Sequence, residues 1–287
     1  MAKGIGQLIV DVRNTFSASL SQKTLFSWHR MLLGTDSKIN AGQWRSSAEP
    51  MQVVSGAYGN EQIHFEAPPS DRVPKEMERF ISWFNETAPG GKSQIIQAPG
   101  RSAIAHLHFE TICPFEDGNE RIGRAIAGKA ISQGIGRPIL LALSKTIEAN
   151  RAAYYEALKI AQRSKDITAW IIWFVNMLID AQTEAEKQVD FGLEKAKFFD
   201  RFRDQLSERQ LKAIRRMLEE GPEGFEGGMN ARKYGSITQS SKATATRDLQ
   251  ELLIKGILIK IEGSDGRSTA YRILFNSPSL DDMGRAI

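Results

Sequence analysis

This chain has little of several things that narrow its class. Its 287 residues include one cysteine, Cys113, which excludes an internal disulfide and says little about compartment. No apolar run is long: Ala169 to Ile179 is the longest, too short for a bilayer and interrupted by Asn176. Met1-Ala-Lys-Gly is not followed by a long apolar core, so a secretory signal pattern is missing. The net charge of +4 is too small to define partners for the whole chain. Internal repeats and low-complexity tracts are absent. What is there is ordinary for a globular protein: 41% apolar and 25% charged residues. The length suffices for one large and one small domain. These features lead to the expectation of a cytoplasmic protein with no membrane partner.

The informative chemistry concentrates in Cys113-Pro-Phe-Glu-Asp-Gly-Asn-Glu-Arg-Ile-Gly-Arg124. Gly118 and Asn119 follow a turn and precede a helical run, Arg121 to Ser132. There Ile122, Ala125, Ile126, Ala130 and Ile131 recur at helical spacing. A Gly-Asn turn feeding a helix leaves backbone N–H groups unpaired at the positive end of the helix dipole, an arrangement suited to phosphate. Arg121 and Arg124 are three apart and share one face of the first turn. Two guanidinium forks beside such a cradle suit a polyphosphate tail. Asp117 lies close enough to hold a divalent metal that also binds phosphate oxygens. Taken alone, Gly-Asn with two arginines also fits a capped helix with a solvated basic face.

As a whole, the segment resembles the signature of the Fic family, His-Pro-Phe-x-(Asp/Glu)-Gly-Asn-(Gly/Lys)-Arg-x-x-Arg. It agrees at every defined position but two: Cys113 stands in place of His, and Glu120 in place of Gly or Lys. The flanks agree with the resemblance. Ala103 to Ile112 reads as an amphipathic helix entering the motif. Met51-Gln-Val-Val-Ser-Gly and Gln62-Ile-His-Phe-Glu-Ala-Pro-Pro69 bracket Tyr58-Gly59-Asn60, which predicts a β-hairpin. It is similar to the Fic flap, which pairs with a target's backbone as an added strand. Val73 to Trp83 reads as a helix. Asn150 to Leu158 resembles the family segment near the adenosine pocket, where Tyr154 and Tyr155 would offer a stacking face; on a helix such aromatics also serve as core.

The resemblance implies AMP transfer from ATP, with Mg2+, to a Ser, Thr or Tyr hydroxyl of a target protein docked at the 51–67 hairpin. It places Cys113 at the catalytic position. Gly118, Asn119, Glu120, Arg121, Arg124 and Tyr155 fall at the nucleotide, and Asp117 at the metal. The two departures then matter. In the family the His takes the hydroxyl proton, a task suited to a pKa near 6.5. A thiol titrates near 8.5, although a neighbouring helix end and two arginines would lower it. Glu120 would repel phosphate, or pair with Arg121 or Arg124. The restraining motif of many Fic proteins, (Ser/Thr)-x-x-x-Glu-(Gly/Asn), does not occur in this sequence, and Glu120 is a candidate substitute for its Glu. The expected function is a Fic-type adenylyltransferase impaired at these two positions. The alternative is a pseudoenzyme acting as a DNA-binding or protein-binding regulator.

Charge is uneven. Between Arg232 and Arg272 eight Lys/Arg stand against four acids. Leu206 to Leu218 reads as a helix opened by a capping box at Ser207-Glu-Arg-Gln, followed by a Pro/Gly loop. A short helix over Tyr234 to Thr238 precedes one over Ser241 to Ile254, with Ala245, Leu249, Leu252 and Leu253 inward and Gly256 as cap. Two strands, Ile257 to Ile261 and Thr269 to Leu274, complete the order. This resembles a winged helix-turn-helix, in which Ser241, Lys242, Thr244 and Arg247 front the recognition helix and Arg267 sits on the wing. Winged helices also mediate protein contacts alone.

The expected fold is mainly α: a Fic helical core with a small hairpin, plus a C-terminal α+β winged helix. The boundaries are 1–183 for the Fic domain, with its hairpin near 51–67 and its motif loop at 113–124. A bridging helix over 184–205, a winged helix-turn-helix over 206–275 and a tail over 276–287 follow.

Overall fold

The computed structural model describes residues 2–34, 39–48, 51–55, 62–264 and 269–275. The hairpin tip Tyr58-Gly59-Asn60, Arg267 and the 276–287 tail lie outside the described residues. The chain forms two compact units, Met1–Glu184 and Ala185–Ile287. Among the described residues no helix is long and apolar enough to cross a membrane.

The first unit contains α1 (Ala2–Asn14), α2 (Gln22–Leu33), β1 (Gln52–Ser55), β2 (Gln62–Glu66), α3 (Val73–Glu86), α4 (Ala98–Ile112), α5 (Asn119–Ile135), α6 (Leu143–Ala149) and α7 (Arg151–Gln162). Helix α8 (Thr168–Phe202) begins in it. Local signals set several of these ends. Ser21 caps α2 by accepting from the Thr24 amide, and Gly34 at φ 62° stops that helix. Pro lies in the first turn of α3 and of α4, where its missing N–H costs nothing.

Helix α4 is not the amphipathic helix expected over 103–112. It starts earlier, at Ala98, and is buried nearly all round, with polar Ser102, His106 and Glu110 as enclosed as Phe109. The reason is tertiary. One face packs into a cluster holding Trp28, Phe80, Phe84 and Phe115. The other packs into a cluster holding Tyr154, Trp170 and Phe174. Its neighbour α5 comes very close: a Cβ on Gly123 would fall 2.1 Å from Glu110 Oε1. A side chain there would push the two helices apart.

The hairpin forms as expected. Strands β1 and β2 are antiparallel, pairing Gln52 with Glu66 and Ser55 with Gln62, with a bulge between Val53 and Val54.

The second unit holds the end of α8, then α9 (Glu208–Glu219), α10 (Ala231–Thr238), α11 (Lys242–Ile254), β3 (Leu258–Lys260) and β4 (Tyr271–Ile273). The capping box at Ser207 and Gln210 is present at the start of α9. Helix α10 starts before Tyr234 because the Asn230 side chain accepts from the Lys233 amide. Between α10 and α11, Gln239 takes the left-handed conformation. Phe198, Ile214, Tyr234, Leu249, Leu252 and Leu258 share one core. One expectation differs from what is found. Leu253 points outward, 38% exposed. The segment read as a bridging helix over 184–205 is helical to Phe202 as the end of α8, which starts at Thr168, and a 3-10 turn over Arg203–Gln205 follows.

Candidate active site

The motif begins where α4 ends. Cys113 is its C-cap, in the left-handed conformation (φ 48°, ψ 59°), and its N–H donates to the Phe109 carbonyl at 3.0 Å. Left-handed backbone costs a non-glycine residue roughly 1 kcal/mol. Arg45 holds it there. The Arg45 Nε donates to the Cys113 carbonyl at 2.7 Å, and its terminal nitrogen donates to the Pro68 carbonyl just after β2. The Arg45 backbone N–H donates to the Pro114 carbonyl at 2.9 Å. One buried guanidinium thus ties the first motif residue to the base of the hairpin.

Phe115 anchors the loop that follows. It is fully buried, and its ring stacks on His29 at 4.0 Å. His29 Nδ1 accepts from the Gly42 amide at 2.8 Å, so Nε2 carries the hydrogen and donates to the Asp117 carbonyl at 3.0 Å. Burial lowers the His29 pKa, and the ring is neutral. Asn119 closes the turn on itself. Its Oδ1 accepts from the Phe115 amide at 2.9 Å and its Nδ2 donates to the Phe115 carbonyl at 2.8 Å. The Asn119 side chain is thus spent on the loop, and its backbone N–H faces the helix end. Gly118 turns the chain at φ 87° into α5. By helix geometry the amides of Asn119, Glu120 and Arg121 have no intrahelical acceptor, as the cradle requires.

Charges around this helix end are already matched. Asp117 pairs with Arg121 at 2.9 Å. Glu120 pairs with Arg124 at 3.5 Å and accepts from the Tyr155 hydroxyl. Tyr155 therefore does stand at the motif. Its neighbour Tyr154 is core: it is 1% exposed, and its hydroxyl meets His106 Nε2 at 3.0 Å. Among the described residues no three His, Cys, Asp or Glu side chains gather as a metal site. Asp117 alone fits a magnesium ion only in the way usual for that ion, with phosphate oxygens completing the shell.

The thiol departs most from expectation. Cys113 is 3% exposed. Burial, with Glu110 close by, pushes it up to about 12, and Arg45 does not offset this. The helix end and the two motif arginines do not lower it. Glu110 is itself raised to about 8 by burial and by Glu120, against the pull of Arg124. Its Oε1 finds no hydrogen-bond partner among the described residues. At neutral pH both side chains hold their protons.

The residues expected on α11 are placed as follows. Ser241 caps the helix, accepting from the Thr244 amide at 3.2 Å, and its hydroxyl meets that of Thr244 at 3.0 Å. Lys242 and Arg247 are exposed and Thr244 is partly so. Arg267 is not among the described residues. Sequence reasoning missed Arg45, His29 and Glu110. Only Glu110, a carboxylate between Phe109 and Ile112, carried a readable signal.

A glycine turn and two arginines stand at one helix end of a mainly helical unit that also carries a β-hairpin. Residues 19–130 match the family model described as Fic/DOC family, a match over less than half of the chain. It is 25% identical over 142 residues to protein adenylyltransferase fic-1 of Caenorhabditis elegans, covering 50% of this chain and 24% of that protein. It is 28% identical over 171 residues to protein adenylyltransferase Fic of Drosophila melanogaster, covering 60% and 29%. The chain thus spans under a third of the length of either relative. A crystal structure of a Fic family protein from Desulfovibrio desulfuricans G20 superposes with a TM-score of 0.51 at 20% identity, over 96% of this chain and 75% of that one. At that identity the likeness is one of fold alone.

Proposed function

We propose that the first unit is a Fic-type adenylyltransferase site, which moves AMP from ATP to a Ser, Thr or Tyr hydroxyl of a protein laid along the 51–67 hairpin. In this chain the reaction is held back at two residues. One observation carries the reading: the free amides of 119–121, Arg121 and Arg124 converge on one helix end, beside the hairpin that Arg45 ties to Cys113. The first-turn amides and both arginines would hold the phosphates, Asp117 the magnesium, and Tyr155 would lie beside the adenosine. ATP, when bound, would supply the α-phosphorus to which the hydroxyl oxygen bonds as the bond to the β-phosphate breaks and pyrophosphate leaves.

The chain's own residues set the limits. A base at position 113 must take the hydroxyl proton. With a pKa of about 12, Cys113 is ionised in about one molecule in a hundred thousand at pH 7, so it does not serve as that base. Glu120 already occupies Arg124 and Tyr155. A carboxylate about 4 Å from a phosphate charge costs on the order of 4 kcal/mol at an effective dielectric near 20, reduced by screening at a site this open. Two separate steps, proton removal and nucleotide grip, are thereby weakened.

The test is labelled-AMP transfer to the chain itself or to a lysate, with calorimetry of Mg-ATP, for the chain as it stands and for Cys113→His/Glu120→Gly. The altered chain is expected to transfer at least about a hundredfold faster and to bind ATP more tightly. Equal, substantial transfer by both would overturn the role given to Cys113. Neither binding nor transfer by the altered chain would favour the pseudoenzyme alternative, a regulator whose Fic fold only binds a partner.

A second reading concerns the second unit, which we propose binds duplex DNA through the front of α11. Supporting it are the helix pair α10 and α11 joined by a tight turn, and the exposed Lys242 and Arg247. Phosphate contacts of this kind are salt-dependent and largely indifferent to sequence. Lys242→Ala/Arg247→Ala should lower the slope of log affinity against log salt by about two in fluorescence anisotropy with a random duplex. An unaltered slope would leave protein contacts as the role of this unit.

A further inference from the structure

An apolar trough of about 340 Å³ runs between α1, α5 and the segment after α5, all within the first unit. Its walls are aliphatic: Leu8, Ile9 and Val12 from α1, Ala125 and Gly128 from α5, and Leu141. Along it Ile9 and Leu140 stay 52% and 50% exposed, so the walls form one open apolar patch and not scattered side chains. The trough has a direction. Gly4 packs on the Met31 carbonyl, Leu32 lies beside Gly118, and Lys129 Nζ donates to the Phe16 carbonyl at 3.0 Å. Helix α1 therefore runs alongside α5 in the same sense. The motif arginines Arg121 and Arg124 line one end, and Arg13 with Ser132 lines the other.

Charge and shape define the occupant. Among the described residues the lining holds three arginines and no carboxylate, so it suits an anion. It holds no aromatic ring, so its walls suit an alkyl chain better than a flat ring. Ile5 to Arg13 spans roughly 12 Å by helix rise, the length of an extended chain of about ten carbons. Arg121 and Arg124 already pair with Asp117 and Glu120, whereas Arg13 forms no ion pair among the described residues. Beside it, Ser132 is 3% exposed. The Ser132 Oγ accepts from the Ile139 amide at 3.2 Å and keeps its hydrogen for a ligand oxygen.

We propose that the trough binds a soluble single-chain amphiphile, a medium-length aliphatic carboxylate, with its acid head on Arg13 and Ser132 and its chain laid along α1 toward the motif. Burial of the chain supplies the affinity, and the guanidinium sets the direction. The site does not depend on the nucleotidyl-transfer reading, because the head lies at the end away from the motif arginines.

Calorimetry of the full chain with hexanoate, octanoate and decanoate, each below its micelle-forming concentration, tests it. One molecule should bind per chain, and affinity should rise about tenfold for each two carbons added. Octanol, which keeps the chain and loses the charge, should bind at least about fivefold more weakly than octanoate. Arg13→Gln should weaken octanoate by the same factor and leave octanol unchanged. Arg13 is exposed, so the fold should hold. Gly128 faces open space, with nothing within 4 Å of a Cβ built on it. Gly128→Leu should therefore fill the trough and abolish binding of all four probes, while the melting temperature stays level or rises. Binding that does not saturate, octanoate affinity indifferent to Arg13→Gln, or binding that survives Gly128→Leu would each overturn the proposal.

Discussion

Arg45 reaches across 68 positions of sequence to donate from Nε to the Cys113 carbonyl at 2.7 Å, and so holds the first motif residue in a left-handed turn. It is 4% exposed and also serves the Pro68 carbonyl. Arg45→Met would leave both carbonyls buried without a donor. That should cost about 2–4 kcal/mol, read as a lower urea midpoint by tryptophan fluorescence. This probe suits the question because all five tryptophans lie before residue 184. Arg45→Lys, with a single reach, should recover part of the loss. If Arg45→Met left the midpoint unmoved, the clamp would be incidental.

Cys113 should be inert to thiol reagents in the folded chain. Enclosure bars access, and a thiol held to about 12 supplies almost no thiolate, the reactive form. Reaction with a chromogenic disulfide at pH 7.5 should be at least about a thousandfold slower than for free cysteine. Guanidinium should restore it. Fast labelling of the native chain would mean that the cysteine sits in an open, activated site.

What was legible from sequence was local. The Gly-Asn turn into α5, the arginine pair, the hairpin strands and the Ser207–Gln210 capping box each depend on residues a few positions apart, and each left a readable spacing. Long-range contacts left none. His29 supports the Asp117 carbonyl from 88 residues away, and nothing in Trp28-His29-Arg30 announces it. The 103–112 helix read as amphipathic because its polar residues look solvated in sequence, yet two apolar clusters enclose it. The thiol was misjudged for the same reason. Nearby arginines are visible in the motif, whereas burial against Glu110 is a property of the packed helix.

Glu110 and His106 give the fold a pH signature. Glu110 is raised from 4.5 to about 8, so the unfolded chain loses that proton first. Its contribution to stability is full below pH 4.5 and is lost as pH rises through 8. Burial lowers His106 from 6.5 to about 4. Its contribution is present above pH 6.5 and is lost as pH falls through 4. The two trends oppose each other between 4.5 and 6.5, leaving a decline from 6.5 to 8 that belongs to Glu110. Glu110→Gln should flatten that decline and make the chain more stable than the parent at pH 8, by an amount on the order of a few kcal/mol. Urea titrations at pH 6.5 and 8 measure it. An unchanged slope would mean that Glu110 is ionised in the fold.

In the second unit, Asp248 is 5% exposed and accepts from the Tyr234 hydroxyl at 2.9 Å and from Arg209 Nε at 3.2 Å. These bonds join α9, α10 and α11 at one buried carboxylate. Tyr234→Phe keeps the ring in its core and removes one donor from a charged acceptor, which should cost about 2 kcal/mol. Arg209 lies largely in solvent and contributes less, so Arg209→Ala should cost under about 1 kcal/mol. Urea unfolding followed by circular dichroism ranks the two. Because Tyr234→Phe leaves Lys242 and Arg247 in place, it should leave the salt slope of duplex binding unaltered, whereas loss of the two cations lowers it. A reversed ranking of the two stability losses would show that the exposed ion pair, and not the buried hydroxyl, holds the helices together.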